Sequence, residues 1–275
     1  MEAGMTRSTS VAIVLCLFAI QSSWIIGCAG GLTLDQVERA DETPLEESRV
    51  TEQQTRTFKV SVDGTERGSM SMQLSKHSDG TESVRGQVEL SFNFIVYKYH
   101  YSSSGTEIWK SGRLIELANE ADHNGDKYVV QASAQQKELA VEVNGESQST
   151  TEDVWVTSYW REPDSRKIGQ QVTLLTTDKG QMLTGTLQRI GTEQIAVAEN
   201  SINATHYQIR GEVEVDLWYD DEHRLIRQSA RESGHRVLME LTEIKRLILM
   251  GNPSNSEDQV TGPIPNSANG NSKRR

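Results

Sequence analysis

Apolar side chains recur at every second position through most of the middle of the chain. Phe58, Val60 and Val62 alternate with polar neighbours, and so do Met70, Met72 and Leu74. Leu139, Val141 and Val143 alternate with Glu138, Ala140, Glu142 and Asn144. Val213, Val215, Leu217 and Tyr219 alternate with Glu212, Glu214 and Asp216. A period of two sends one set of side chains to each face of a sheet, so every such run predicts a strand with one dry side and one wet side. Between the runs stand Asp63-Gly64, Asp79-Gly80, Ser111-Gly112, Asn124-Gly125, Asn144-Gly145 and Lys179-Gly180. Asn-Gly and Asp-Gly supply the positive φ that tight hairpins require.

The pattern predicts strands over 56–63, 66–76, 83–101, 105–110, 113–121, 126–135, 138–144, 170–177, 181–190, 194–199 and 205–219, with 224–232 and 236–248 as two more. Consecutive strands joined by short turns make an antiparallel meander. One helix is predicted over Thr151–Trp160. Thr150 or Thr151 can cap it and Glu152 and Asp153 occupy its first turn, while Val154 and Val156 weigh against it. In 83–101 both faces turn apolar or aromatic. Phe92, Phe94 and Val96 lie on one, and Ile95, Tyr97, Tyr99 and Tyr101 on the other. A strand wetted on one side does not read so; the sheet must curl over its second face there, or the helix must pack on it. The expected fold is all-β: a strongly curved antiparallel meander sheet or open barrel of about 11 or more strands with one short helix.

The ends of the chain read differently. Arg7 precedes an apolar run, Val11–Ile20, of a length suited to the core of an export signal and too short to span a bilayer. Ile25-Ile26-Gly27-Cys28 follows and resembles a bacterial lipobox, in which the Cys28 thiol accepts a lipid and becomes the new N-terminus. Two alternatives stand beside it: ordinary signal cleavage after Ala29, and a retained anchor over roughly residues 11–30. The expected organisation is a signal peptide over 1–27, an acidic flexible tether over 28–55, a single β domain over 56–250 and a disordered tail over 251–275. Residues 31–55 carry seven acids against two arginines, a net of −7 + 2 = −5. The expected location is the bacterial cell envelope, on the periplasmic face of a membrane through the lipid on Cys28, or soluble in the periplasm or medium.

Charge and cysteine usage narrow the chemistry. The 275 residues hold 39 acids and 28 bases, a net charge of −11. Such a chain is a poor match for nucleic acid, whose binding rests on Lys and Arg neutralising phosphates. The two cysteines are Cys16 and Cys28, so the β region has no disulfide, thiolate nucleophile or sulfur ligand. The six histidines include no i, i+4 pair, and no nucleophile elbow, phosphate loop or dinucleotide fingerprint is present. No metal or cofactor is therefore expected. Asp122-His-Asn-Gly-Asp126 has the start of a calcium loop without its glycine or its final acid, and reads as a hairpin turn. Asp220-Asp-Glu-His223 reads as a charged hairpin tip.

Aromatics are the one concentrated signal. Tyr97, Tyr99, Tyr101, Trp109 and Trp160, with Glu107, are the candidate ligand-binding residues: a greasy cleft for an acyl chain with hydroxyls at its mouth. The same rings also suit sheet packing. Glu107 would have a raised pKa and could act as a general acid if buried beside Trp109 and Tyr99. Glu107 on a solvated face, or paired with Lys98 or Lys110, is the reading favoured by the sequence.

Val96-Tyr-Lys-Tyr-His-Tyr101, Thr106-Glu-Ile-Trp-Lys-Ser-Gly-Arg-Leu-Ile115, Ala121-Asp-His-Asn-Gly-Asp126, Ser158-Tyr-Trp160 and Val215-Asp-Leu-Trp-Tyr-Asp220 followed by Arg224-Leu225 form a recognisable set. Together they resemble an uncharacterised bacterial family of exported proteins, domain of unknown function 6134, over most of residues 56–245. The resemblance implies a curved antiparallel β architecture similar to lipoprotein-carrier folds, and carries no catalytic residues with it. Three functions fit: a lipid-anchored interaction or structural module without enzymatic activity, with an envelope protein as partner; a carrier or sensor of an apolar ligand; and an envelope hydrolase using scattered carboxylates.

Overall fold

The computed structural model describes residues 48–94, 97–197, 200–232 and 234–249. The expected export segment with Cys28, the acidic stretch up to residue 47 and everything from residue 250 on, including the expected C-terminal tail, lie outside the described residues. The strands are β1 Val50–Val62, β2 Thr65–His77, β3 Thr81–Phe94, β4 Tyr97–Lys110, β5 Arg113–His123, β6 Asp126–Gln135, β7 Glu138–Val143, β8 Glu146–Thr151, β9 Trp155–Val156, β10 Gln171–Leu175, β11 Met182–Val197, β12 Asn200–Gly211, β13 Glu214–Tyr219, β14 Leu225–Glu232 and β15 His235–Ile248. All fifteen belong to one sheet.

The strand order is β8-β7-β6-β5-β4-β3-β2-β1-β15-β14-β13-β12-β11-β10-β9. The first and last strands therefore pair at the middle of the sheet, from Glu52 opposite Ile248 to Val62 opposite Val237. From there one wing, β1–β8, runs outward as a meander. The chain then crosses to the far edge and returns inward along the second wing, β9–β15. Every neighbouring pair is antiparallel except β9 with β10. The sheet is not closed, and its edges are β8 and β9.

One face of this sheet is dry along nearly its whole width. Phe58, Val60, Met72, Val88, Leu90, Leu117, Val130 and Val141 in the first wing, and Leu174, Leu187, Ile209, Leu217 and Met239 in the second, are all buried. Among the described residues neither an α-helix nor a second sheet covers that face. The wings curl over it instead, and two pieces of chain fill the space between them. One is the crossing segment 152–170, whose Val154, Val156, Tyr159 and Trp160 are buried. The other is the tip of the β10–β11 hairpin, where Thr176, Thr177 and Asp178 are fully enclosed. Gly180 at that tip meets Val130 and Val143 of the opposite wing, and its carbonyl accepts a hydrogen bond from Gln148 Nε2 at 2.7 Å.

The all-β meander is as the alternation predicts, except that 181–190 and 194–199 form one strand, β11, and 205–219 is divided between β12 and β13, and three further details are corrected. No helix forms over Thr151–Trp160. Thr151 ends β8, Trp155 and Val156 pair with Leu174 and Leu175, and Tyr159 adopts a φ of +47° that breaks any helix. The β-branched valines lie in extended chain, and the only helical turn there is a short 3-10 piece, Ser165–Lys167, capped by Asp164. Second, 83–101 is not one strand. β3 and β4 fold back on each other, with Phe94 opposite Tyr97 and Phe92 opposite Tyr99. The turn resets the alternation, so the even-numbered residues of β3 and the odd-numbered residues of β4 share the inner face. That accounts for the two apolar faces without a doubly covered strand. Third, β1 starts at Val50, inside the stretch read as tether, and β8 adds a polar edge strand that carries no apolar alternation.

The hairpin tip gives a direct test of the filled interior. Gly180 has φ +64° and a Cβ there would stand 2.3 Å from Val143 Cγ2, whereas Gly145, with φ +88°, has open space around it. Gly180→Ala is expected to cost about 2–4 kcal/mol, combining left-handed strain with overpacking. Gly145→Ala should cost only the strain, about 1–2 kcal/mol. Urea denaturation of both variants decides; equal losses would mean that the tip is not wedged between the wings.

Candidate functional site

The odd-numbered residues of β4 point inward, and they separate the sequence candidates into two groups. Tyr99 and Tyr101 lie at one end of the strand and Glu107 and Trp109 at the other, so eight residues, about 27 Å of extended chain, part Tyr99 from Glu107. Tyr99 stacks on Phe92 at 4.9 Å, and Tyr101 meets His123 edge-on at 4.6 Å. Tyr97 opens β4 opposite Phe94, and its side chain lies outside the described residues. The single aromatic cleft expected from the sequence is thus divided, and Glu107 has no Tyr99 beside it.

Glu107 itself is buried, at 2% exposure, and not on a solvated face with Lys98 or Lys110. Its Oε2 accepts hydrogen bonds from Trp109 Nε1 at 2.8 Å and from Trp160 Nε1 at 3.1 Å. Trp109 reaches it along β4, two residues on. Trp160 arrives from the crossing segment, and the two indoles meet edge to face at 5.9 Å. The Arg161 guanidinium lies 4.5 Å from the Trp160 ring and 5.4 Å from the Trp109 ring, and pairs with Glu82 of β3. Burial raises the pKa of Glu107, against the opposing hydrogen bonds of Ser158, Trp109 and Trp160 and the charge of Arg161. The carboxylate is therefore a clasp that binds the crossing segment to β4. The outer edge of the cluster faces a groove of about 460 Å³ between Trp109, Trp155, Arg161 and Lys167.

A second buried ionisable group lies across the interior. His123 Nε2 of β5 is 2.9 Å from Asp178 Oδ2 at the β10–β11 tip, and the aspartate is completely enclosed. Burial raises the Asp178 pKa while His123 opposes it. Tyr101 and Tyr128 flank the imidazole edge-on. The pair joins the two wings as Gln148 does. Sequence reasoning missed Asp178, since an acid at a hairpin turn carries no sign of burial. His123, in contrast, shares the inward alternation of Ala121 and Asn119.

The remaining signals are local. Asp122 Oδ1 accepts the Gly125 N–H at 2.6 Å in the β5–β6 turn, and Asp220 accepts the N–H groups of Glu222 and Arg224 in the β13–β14 turn. Among the described residues no group of three His, Cys, Asp or Glu could hold a metal.

The family model described as a domain of unknown function, DUF6134, matches residues 58–242. The chain belongs to the DUF6134 family. The match runs from within β1 to within β15 and so touches every strand of the curled sheet. No curated protein matches the sequence. In fold, this DUF6134 chain is similar to a beta-barrel-like protein of domain of unknown function DUF1849 from Brucella abortus. The TM-score is 0.50 and the identity 7%, over 71% of this chain and 97% of that one. At that identity the likeness is one of architecture.

The raised pKa of Glu107 sets a pH dependence. A carboxyl whose native pKa exceeds its unfolded value favours folding when protonated, so its contribution is complete below the ordinary value of 4.5 and is lost as pH rises through the native value. Glu107→Gln keeps an oxygen acceptor for the indoles and carries no charge. Its stability relative to the parent is expected to improve as pH rises from 4 to about 8. Glu107→Leu strands two buried indole donors and should cost about 1–3 kcal/mol for each. Denaturant titrations across that range test both; a Gln variant that loses ground with rising pH would refute the assignment.

Proposed function

We propose that this protein is a non-enzymatic component of the bacterial cell envelope, anchored by lipid on Cys28, whose β domain is a self-filled scaffold for contact with a partner protein. The observation that carries the reading is the occupied interior. A carrier of acyl chains needs room on the concave face, and that face holds the crossing segment 152–170 and the hairpin tip at 176–180. Trp109 and Trp160 pack edge to face, their N–H groups engage Glu107, and the groove they border opens on the outside of the cluster. Its burial and engagement speak against use as a general acid. The space left for recognition lies outside, in grooves such as the one beside Trp155 and Arg161.

Native mass spectrometry of the full chain from an exporting bacterial host addresses the filled interior. The expected spectrum is the mass of the polypeptide with its covalent Cys28 lipid and no further bound mass, with tryptophan emission unmoved by added fatty acids. A reproducible extra mass that organic extraction removes would overturn this reading in favour of carriage. The anchor has its own test: palmitate labelling should be present in the parent and abolished by Cys28→Ala. Labelling that persists in the variant would exclude Cys28 as the anchor.

A further inference from the structure

A cleft of about 240 Å³ opens at one end of the curled sheet, between β1, β2, β3, β15, the crossing segment and the β13–β14 turn. Its walls carry five cations: Arg56, Lys76, Arg161, Arg224 and Arg246. Four of them are matched by acids. Glu52 takes Lys76 at 2.9 Å and Arg246 at 2.7 Å, and Glu82 takes Arg161. Arg224 pairs with Asp220 at 2.7 Å and with Glu222 at 3.0 Å. Five cations thus meet four carboxylates.

The cation left over is Arg56, and it is also among the most enclosed, at 6% exposure. Its Nε donates to Gln54 Oε1 at 2.6 Å and its Nη1 to the Trp160 carbonyl at 3.1 Å, both neutral acceptors. Its Nη2 donates to no described residue. Burial, reinforced by the neighbouring Arg224 charge, pulls its pKa down to about 10, with Asp220 and Glu222 opposing from a distance without a hydrogen bond to it. A buried cation is stable only when its charge is answered, and here the protein supplies no carboxylate in contact with it. The chain as a whole is at −11, so an excess of positive charge at this one cleft runs against the rest of the molecule.

We propose that this cleft binds a phosphate group, with Arg56 as its buried cation and Arg161, Arg224 and Arg246 around it. The cations come from four separate parts of the chain and do not form a single planar fork. They suit a tetrahedral oxyanion, which offers acceptors in several directions, better than a lone carboxylate. The phosphate can belong to a small soluble phosphoester or to the headgroup of an anionic lipid. This inference rests on the cleft alone and is independent of the anchor on Cys28.

The test is isothermal titration of the full chain with inorganic phosphate, against chloride at equal ionic strength. Saturable binding is expected, weakened about tenfold or more in Arg56→Gln by loss of a charge-assisted donor. Circular dichroism checks the fold of that variant. Should it not fold, Arg246→Gln takes its place, since that side chain is 45% exposed, and a several-fold weakening is expected. Vesicles of phosphatidylglycerol and of phosphatidylcholine then separate the sources. Vesicle binding selective for phosphatidylglycerol and displaced by inorganic phosphate assigns a lipid headgroup; phosphate binding with no such displacement assigns a soluble phosphoester. A response to phosphate no greater than to chloride, or one unchanged in the folded variants, overturns the proposal.

Discussion

A fifteen-stranded sheet with one dry face and, among the described residues, no helical layer to cover it has to cover itself. Burial of apolar area is the dominant favourable term in folding, and an exposed face of this breadth would be a large aggregation surface. The twist inherent in strands bends the wings toward each other, and the alternation of inward Val, Leu, Met and Phe supplies the contact. Two wings of a wide sheet cannot close on side chains alone, so chain segments enter between them. The crossing segment and the β10–β11 tip are in this sense core elements, although neither contributes a long strand.

Polar contacts join these insertions to the sheet. Glu107 holds Trp160, the Tyr159 carbonyl accepts from Tyr219 Oη at 2.8 Å, and Asp178 faces His123 across the wings. Each of these groups is buried, and a buried polar group is costly unless answered. The cost of leaving any one unanswered penalises every arrangement in which the insertions sit differently. Apolar packing favours a filled interior; the polar contacts fix which chain fills it and in what register.

The course of the sheet was largely legible because its turns are chemically marked. Asp63-Gly64, Asn124-Gly125 and Asn144-Gly145 all show the positive φ that their residue types suit. The β3–β4 connection was hidden because Ile95 and Val96 are strand formers, and nothing local announces a reversal. β8 was hidden because an edge strand wet on both sides has no alternation to show. The fate of Glu107 was half visible: its parity with Trp109 pointed inward, but the second indole comes from 53 residues further along the chain. Arg56 likewise shares the parity of Phe58 and Val60, so an inward arginine stood in plain view. A charged residue at a core position is the signal to follow in such sheets. Asp178 offered no such sign, because turns have no faces.

The pairing of β1 with β15 has a consequence for how the domain comes into being. The two strands at the centre of the sheet lie nearly two hundred residues apart in the chain, so the middle seam cannot form until the final strand has emerged. Loops of that length close slowly, and non-local strand pairing is the slow class of folding step. Until then the β1–β8 wing presents an unsatisfied edge at β1, a template for pairing with other chains. A protein wired this way favours delayed folding: anything that holds the chain extended until β15 is available works with the topology.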